Sequence, residues 1–229
     1  MNSAIIVAAG RGTRMGPDID KLFLEVAGQP VIAHTWRRFD TAAGLDEIIL
    51  VVRDGLQPAF IELAEKFQFK KTFRLVAGGA ERQDSVLHGL QALASGVELV
   101  AIHDGARPCV SHELIAATLA AARETGAAVA AQRVTDTIKE SGDGLSITRH
   151  LDRSRLWAVQ TPQSFRVAVI RRAIAAAKEK GLSLTDDTAA CELIGQPVRL
   201  VAGAQPNPKV TLPADLPYIE LLLRGHSDT

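Results

Sequence analysis

Four short apolar runs constrain this chain most: Ala4-Ile5-Ile6-Val7, Ile48 to Val52, Phe73-Arg74-Leu75-Val76 and Leu99-Val100-Ala101-Ile102, each parted from the next by enough residues for a helix. A strand with almost no polar alternation has no face to give to water, so it belongs in a sheet covered on both sides. Helix-length spacers are what parallel neighbours require, and the fold class expected is α/β. The spacers carry helical periodicity: Ile32, Trp36 and Phe39 in the first, Phe60, Leu63, Ala64 and Phe67 in the second, Val86, Leu90 and Leu93 in the third. Asp84 or Ser85 is the expected cap of that third helix, and Ser111 that of a fourth bearing Leu114, Ile115, Leu119 and Ala122. In such sheets ligands bind beyond the carboxyl ends of the strands.

The first strand empties into Val7-Ala8-Ala9-Gly10-Arg11-Gly12-Thr13-Arg14-Met15-Gly16, with Lys21 close behind. Glycines let bare N–H groups approach anionic oxygens, and the basic side chains neutralise charge that no backbone dipole balances alone. The natural ligand is a polyphosphate. A Walker loop is excluded because Pro17 follows Gly16, and the dinucleotide fingerprint is broken by Met15 at its third glycine. Gly10 to Lys21, Gly78 to Ser85 and Asp104 to Pro108 are expected to share one rim of the sheet, whereas Arg53-Asp54-Gly55 reads as a plain turn.

Asp104, an acid at a strand end beside phosphate donors, suggests Mg²⁺, which one or two carboxylates commonly hold together with substrate phosphates. With Arg14 and Lys21 it would serve nucleotidyl transfer, in which metal and cations stabilise charge on the α-phosphate and on departing pyrophosphate. A phosphate monoester is already an oxyanion at neutral pH, so it needs positioning and shielding instead of a general base. Arg107, Arg153 and Lys209 are candidate cations for that acceptor side. His103 reads as a packed strand-end residue, the six histidines offer no HxxxH or HExxH spacing, and Ser85 lacks the elbow of a hydrolase nucleophile.

Ala127 to Ala131 is a fifth strand, after which residues 133–156 change texture; Gly142-Asp143-Gly144 reads as a hairpin turn, so the segment is either an arm of the kind that finds its partner on another subunit or a flexible insertion. Leu156 to Val159 should return to the sheet, and Gln160-Thr161-Pro162-Gln163 should close it at a proline-fixed turn. A helix with Ile170, Ile174 and Ala177 follows, then the helix cap Thr185-Asp186-Asp187-Thr188, a strand from Val198 to Val201, and a last helix with Leu216, Ile219 and Leu223. The 229 residues suit a single domain, 1–229. With 26 Lys plus Arg against 26 Asp plus Glu, neither nucleic acid nor membrane is an expected partner. Cys109 and Cys191 form no disulfide framework, and with no signal peptide or spanning segment a cytoplasmic location is expected.

These residues carry a resemblance. Ala8-Ala9-Gly10-x-Gly12-x-Arg14-Met15, Lys21, Gly78-Gly79-x-Glu81-Arg82-x-Asp84-Ser85-Val86 and His103-Asp104-x-Ala106-Arg107-Pro108 open the match, which continues through Asp136-Thr137-x-Lys139, Asp152-Arg153, Trp157, Thr161-Pro162-Gln163, Thr185-Asp186-Asp187 and Lys209-Val210-Thr211. In that order the chain resembles the 2-C-methyl-D-erythritol 4-phosphate cytidylyltransferases over almost its whole length. The resemblance implies a Rossmann-like three-layer sandwich of the nucleotide-diphospho-sugar transferase type, with a mostly parallel mixed sheet and a protruding β-arm. It implies transfer of CMP from CTP to methylerythritol phosphate with Mg²⁺. Arg14 and Lys21 would act at the α-phosphate, and Ala8, Ala9, Gly10, Gly12, Gly79 and Ser85 would hold CTP. Asp104 and Arg107 would contact substrate or metal, Arg153 and Lys209 would place the acceptor phosphate, and Thr137, Thr161 and Thr185 would face the acceptor. The arm would exchange between subunits of a homodimer. Two positions depart from the pattern: Gly105, where alanine is expected and the loop should loosen, and Pro208 before Lys209. The alternatives are a ribitol-5-phosphate cytidylyltransferase, a non-catalytic nucleotide-binding regulator and a dehydrogenase.

Overall fold

The computed structural model describes residues 1–10 and 20–225. The chain begins with β1 (Asn2–Ala8), and a two-stranded ribbon of β2 (Glu25–Val26) and β3 (Gln29–Pro30) delivers it to α1 (Val31–Thr41). It then alternates through β4 (Glu47–Val52), α2 (Gln57–Phe67), β5 (Thr72–Ala77), α3 (Arg82–Gln91), β6 (Leu99–Asp104), α4 (His112–Thr125) and β7 (Ala127–Arg133). A small ribbon of β8 (Lys139–Glu140) and β9 (Arg149–His150) precedes β10 (Trp157–Arg166), α5 (Val167–Glu179), α6 (Asp187–Glu192), β11 (Arg199–Ala202) and α7 (Leu216–Gly225).

Seven strands form one sheet in the order β11-β7-β10-β6-β1-β4-β5. All pairs are parallel except those of β10, which runs against both β6 and β7. Val7 pairs with Val51 on one side and Asp104 on the other, so the carboxyl ends of the three central strands are level. Side chains of β1 divide as a doubly covered sheet demands: Ala4, Ile6 and Ala8 enter an apolar cluster with Trp36, Phe39, Phe60 and Ile115, while Ile5 enters a second with Val86, Leu90, Phe165 and Ile170. The three layers expected from the apolar runs are present. Helix α3 lies close on this sheet because position 89 is glycine; a Cβ there would stand 2.7 Å from Ile5 Cγ2 and 3.1 Å from Val51 Cγ2.

Two local expectations are corrected. Gln160 to Gln163 does not close the sheet: β10 runs through it to Arg166, with a register shift between Val159 and Gln163 and a cis Thr161–Pro162 bond. A bulge is one of the few places where a strand tolerates a residue without an N–H. Helix α3 is capped neither by Asp84 nor by Ser85; its N-cap is Glu81, whose N–H donates to Asp84 Oδ2 at 3.0 Å. Ser111 does cap α4, accepting from the Leu114 N–H at 3.2 Å. The hairpin in 133–156 is formed, with Lys139 opposite His150 and Asp143 Oδ1 accepting from the Leu145 and Ser146 N–H groups. Near its tip Leu145 is 93% and Ile147 69% exposed.

Candidate active site

At the carboxyl ends of the central strands lies a cleft of about 680 Å³, lined by Val7 to Gly10, Lys21, Gly78 to Arg82, Ser85, Asp104 to Ala106 and Lys209. The three rim loops read from the sequence therefore meet. The end of β4 joins them against expectation: Arg53 and Asp54 also line the cleft, and Arg53 Nη2 holds Asp20 Oδ2 at 2.9 Å. Gly12 and Arg14 lie outside the described residues.

The Gly78–Gly79 turn is packed so tightly that side chains would collide, with Ala9 Cβ 2.3 Å from a Cβ at 78 and Asp84 Cβ 2.2 Å from one at 79. Ser85, buried, accepts from the Gly79 N–H at 3.1 Å and donates to the Glu81 carbonyl at 3.2 Å, so its hydroxyl shapes this turn. Gly105 does not loosen its loop. Its N–H donates to Val7 O at 2.9 Å and its carbonyl accepts from Thr35 Oγ1 at 2.8 Å, while a Cβ would come within 2.9 Å of Ile32 Cδ1.

Asp104 is the electrostatic centre. Lys209 Nζ stands 2.7 Å from its Oδ2, Arg82 Nε 3.4 Å from Oδ1 and Arg107 Nε 3.7 Å from Oδ2. Burial works to raise its pKa, but Lys209 foremost, then Arg82 and Arg107, hold the carboxyl well below the usual carboxylate range, so it is anionic at neutral pH. Lys209 reaches it despite Pro208. Lys21 Nζ donates to the Val210 carbonyl at 3.1 Å, and the Val210 N–H donates to Ala106 O at 2.8 Å. One stretch, Lys209 to Val210, thus ties Lys21 and the Asp104–Ala106 turn together across the cleft floor.

Arg82, which the sequence marks only as a member of a motif, turns out to brace the site. Its Nη1 and Nη2 grip Asp187 Oδ1 and Oδ2 at 2.9 and 2.8 Å while its Nε touches Asp104. Burial opposes its charge, but Asp187 and Asp104 raise its pKa above that of a free arginine. One signal was available: a cation at the first residue of a helix opposes the macrodipole and needs a compensating acid.

Of the other predicted residues, Arg107 lies behind the cleft, its Nη1 donating to Asn207 O at 2.8 Å, and burial lowers its pKa. Thr161 is buried beneath the floor, where Asp104 N–H donates to its hydroxyl at 3.1 Å. Thr137 and Arg153 are exposed on the arm, the latter donating to Thr135 O at 2.5 Å, and Thr185 is exposed ahead of α6; none of the three lines the cleft. His103 is the packed strand-end residue expected, fully buried, with burial pushing its pKa down to about 3. Among the described residues no cluster of three or more His, Cys, Asp or Glu could cage a metal. The Asp104 carboxylate, anionic and open to the cleft, is a donor of the kind that suits Mg²⁺, a hard cation that draws its remaining ligands from substrate and water.

A doubly covered α/β sheet whose strand ends present close-approach glycines, a buried carboxylate and converging lysines defines a nucleotidyltransferase. Solved structures similar to this one include a 4-diphosphocytidyl-2C-methyl-D-erythritol synthase from Anaerococcus prevotii (TM-score 0.87, 32% identity, 98% of this chain and 96% of that one) and a 2-C-methyl-D-erythritol 4-phosphate cytidylyltransferase from Thermus thermophilus (TM-score 0.80, 35% identity, 98% and 100%). A protein of Geobacillus kaustophilus bearing the latter name is 46% identical over 224 residues, covering 96% of each chain. The model of the 2-C-methyl-D-erythritol 4-phosphate cytidylyltransferase family matches residues 2–225, and this chain belongs to that family.

Proposed function

We infer that the protein transfers the cytidylyl group of CTP to 2-C-methyl-D-erythritol 4-phosphate, giving 4-diphosphocytidyl-2-C-methyl-D-erythritol and pyrophosphate. The observation that carries this is the family match over residues 2–225 falling on a cleft where Lys21, Asp104 and Lys209 meet the Gly78–Ser85 turn. An oxygen of the acceptor phosphate attacks the α-phosphorus of CTP; that P–O bond forms as the bond to the β-phosphate bridge breaks, and the electron pair leaves with pyrophosphate. No proton must move, so what the chain has to do is hold two anions together. Lys21, with Arg14, would stabilise the α-phosphate, and Lys209 would receive the acceptor phosphate. Ala8, Ala9, Gly10 and Gly79, small and close to backbone, would admit the nucleotide.

Asp104 would hold Mg²⁺, which when bound would neutralise polyphosphate charge. Thr137 and Arg153, exposed on an arm with bare Leu145 and Ile147, would complete the site of a second subunit, making a homodimer. Thr185 would approach the acceptor from the α6 side. Among the described residues no helix is long and apolar enough to cross a membrane, and a cytoplasmic location is proposed with the pathway assignment. The test is pyrophosphate release from CTP with methylerythritol phosphate and with ribitol 5-phosphate side by side. Methylerythritol phosphate is expected to react far faster; the opposite order would refute the assignment.

A further inference from the structure

Among the buried titratable side chains that cytidylyl transfer leaves with no part in the chemistry is His103, fully enclosed at the end of β6. Its Nε2 lies 3.1 Å from the carbonyl oxygen of Arg107 and its Nδ1 3.0 Å from the hydroxyl of Thr161. A carbonyl oxygen has nothing to donate, so Nε2 must carry the proton, and in a neutral ring Nδ1 is then a bare acceptor. Thr161 must therefore donate to Nδ1. Its oxygen is left to accept the N–H of Asp104 at 3.1 Å. The result is a directed chain from the Asp104 N–H through the Thr161 hydroxyl and the His103 ring to the Arg107 carbonyl. Reversing any member would set donor against donor or acceptor against acceptor, at the cost of a buried polar group left unpaired.

We propose that His103, as its Nε2–H tautomer, is a positioning residue for cytidylyl transfer: through Thr161 and the Arg107 carbonyl it fixes the turn from which Asp104 enters the cleft. The inference rests on the transfer reaction proposed above and reassigns Thr161 from acceptor contact to support. The same turn is pinned by the Gly105 N–H on Val7 O at 2.9 Å and by Ala106 O, which accepts from the Val210 N–H at 2.8 Å. Because Lys209 precedes Val210 and stands 2.7 Å from Asp104, a displaced turn would misplace both groups at once. An ångström of misplacement far from the chemistry can lower turnover about 100-fold.

The first measurement needs no variant: nitrogen NMR of histidine-labelled protein should show, for His103, a protonated Nε2 and an unprotonated Nδ1. Protonation at Nδ1 would overturn the proposal. His103→Gln keeps a donor near Nε2 but loses the Nδ1 acceptor, and His103→Asn can keep the acceptor but not the reach to Arg107. Each should lower kcat by roughly 10- to 100-fold with a much smaller change in KM for CTP. Thr161→Val should behave the same way and combine non-additively with His103→Gln, while Thr161→Ser, which keeps the hydroxyl, should recover the lost turnover. Wild-type kcat in both His103 variants would refute the role. If the wild type itself released no pyrophosphate, the reaction assignment would fail, and the tautomer would still decide whether the chain exists as drawn.

Discussion

Replacing Asp187 by alanine tests how the cleft is braced. Its carboxylate, 3% exposed, receives two hydrogen bonds at 2.9 and 2.8 Å from the Arg82 guanidinium, itself 27% exposed. Deletion leaves that guanidinium with one remaining acid contact, the 3.4 Å approach of Nε to Asp104. Breaking a buried pair by removing one partner costs about 3–5 kcal/mol, because most of the loss is the stranded charge. Arg82 keeps some solvent and a second acid, so the lower end, about 3 kcal/mol, is expected. For a chain of this size that corresponds to a Tm lower by about 6–12 °C. Urea unfolding gives the free energy and scanning calorimetry the midpoint. The converse double variant, Arg82→Met with Asp187→Leu, leaves no charge stranded at position 82 and should be markedly less destabilised than Asp187→Ala alone. A single substitution costing below about 1 kcal/mol, or a double variant worse than the single, would refute the reasoning.

Lys209→Met and Lys21→Met should each lower kcat by about 100- to 1,000-fold, the usual effect of removing one charge-stabilising donor, in assays of pyrophosphate release. CTP binding measured by calorimetry should survive both, and unchanged turnover would argue for a binding module. Burial holds the His103 pKa down at about 3 in the folded chain, against about 6.5 when unfolded. The unfolded chain therefore binds the proton first: this contribution is fully present above about pH 6.5 and is lost as pH falls toward the folded value, by up to about 1.4 kcal/mol per pH unit. Urea midpoints measured from neutral to acid pH should show that slope, and His103→Gln should flatten it. Trp36 is fully buried and stacked on Phe69 at 4.1 Å, yet its Nε1 has no hydrogen-bond partner among the described residues. Trp36→Ala should cost about 3–5 kcal/mol in urea unfolding, whereas Trp36→Phe, which deletes the orphaned N–H, should cost much less.

The sheet was legible because apolar runs at the right spacing have few folded solutions, and the rim loops followed from the rule that ligands bind at strand ends. Strand β10 was misread where Pro162 looked like a stop, since nothing in a local pattern announces that a bulge will carry the chain past it. Lys21, Asp104 and Lys209, singled out by residue type, and Gly79, singled out by the resemblance, do line the cleft. Arg82 and Arg53 were missed: a lone arginine beside a helix start or turn reads as solvated until tertiary structure supplies Asp187 or Asp20. Thr161 illustrates a subtler failure, in which the right neighbourhood was read but a hydroxyl facing inward could not be told from one facing a ligand.

Gly89 does not itself line the cleft, yet the cleft depends on it. A helix glycine is ordinarily the engineer's first target, since alanine there gains about 1 kcal/mol of helix propensity. Here a methyl group would press on Ile5 and Val51 and push α3 off the sheet, and the N-terminal end of that helix carries Arg82 and Ser85. Thermostability campaigns that follow the general rule should therefore meet an exception at this position, where a gain in local order is exchanged for a shallower floor.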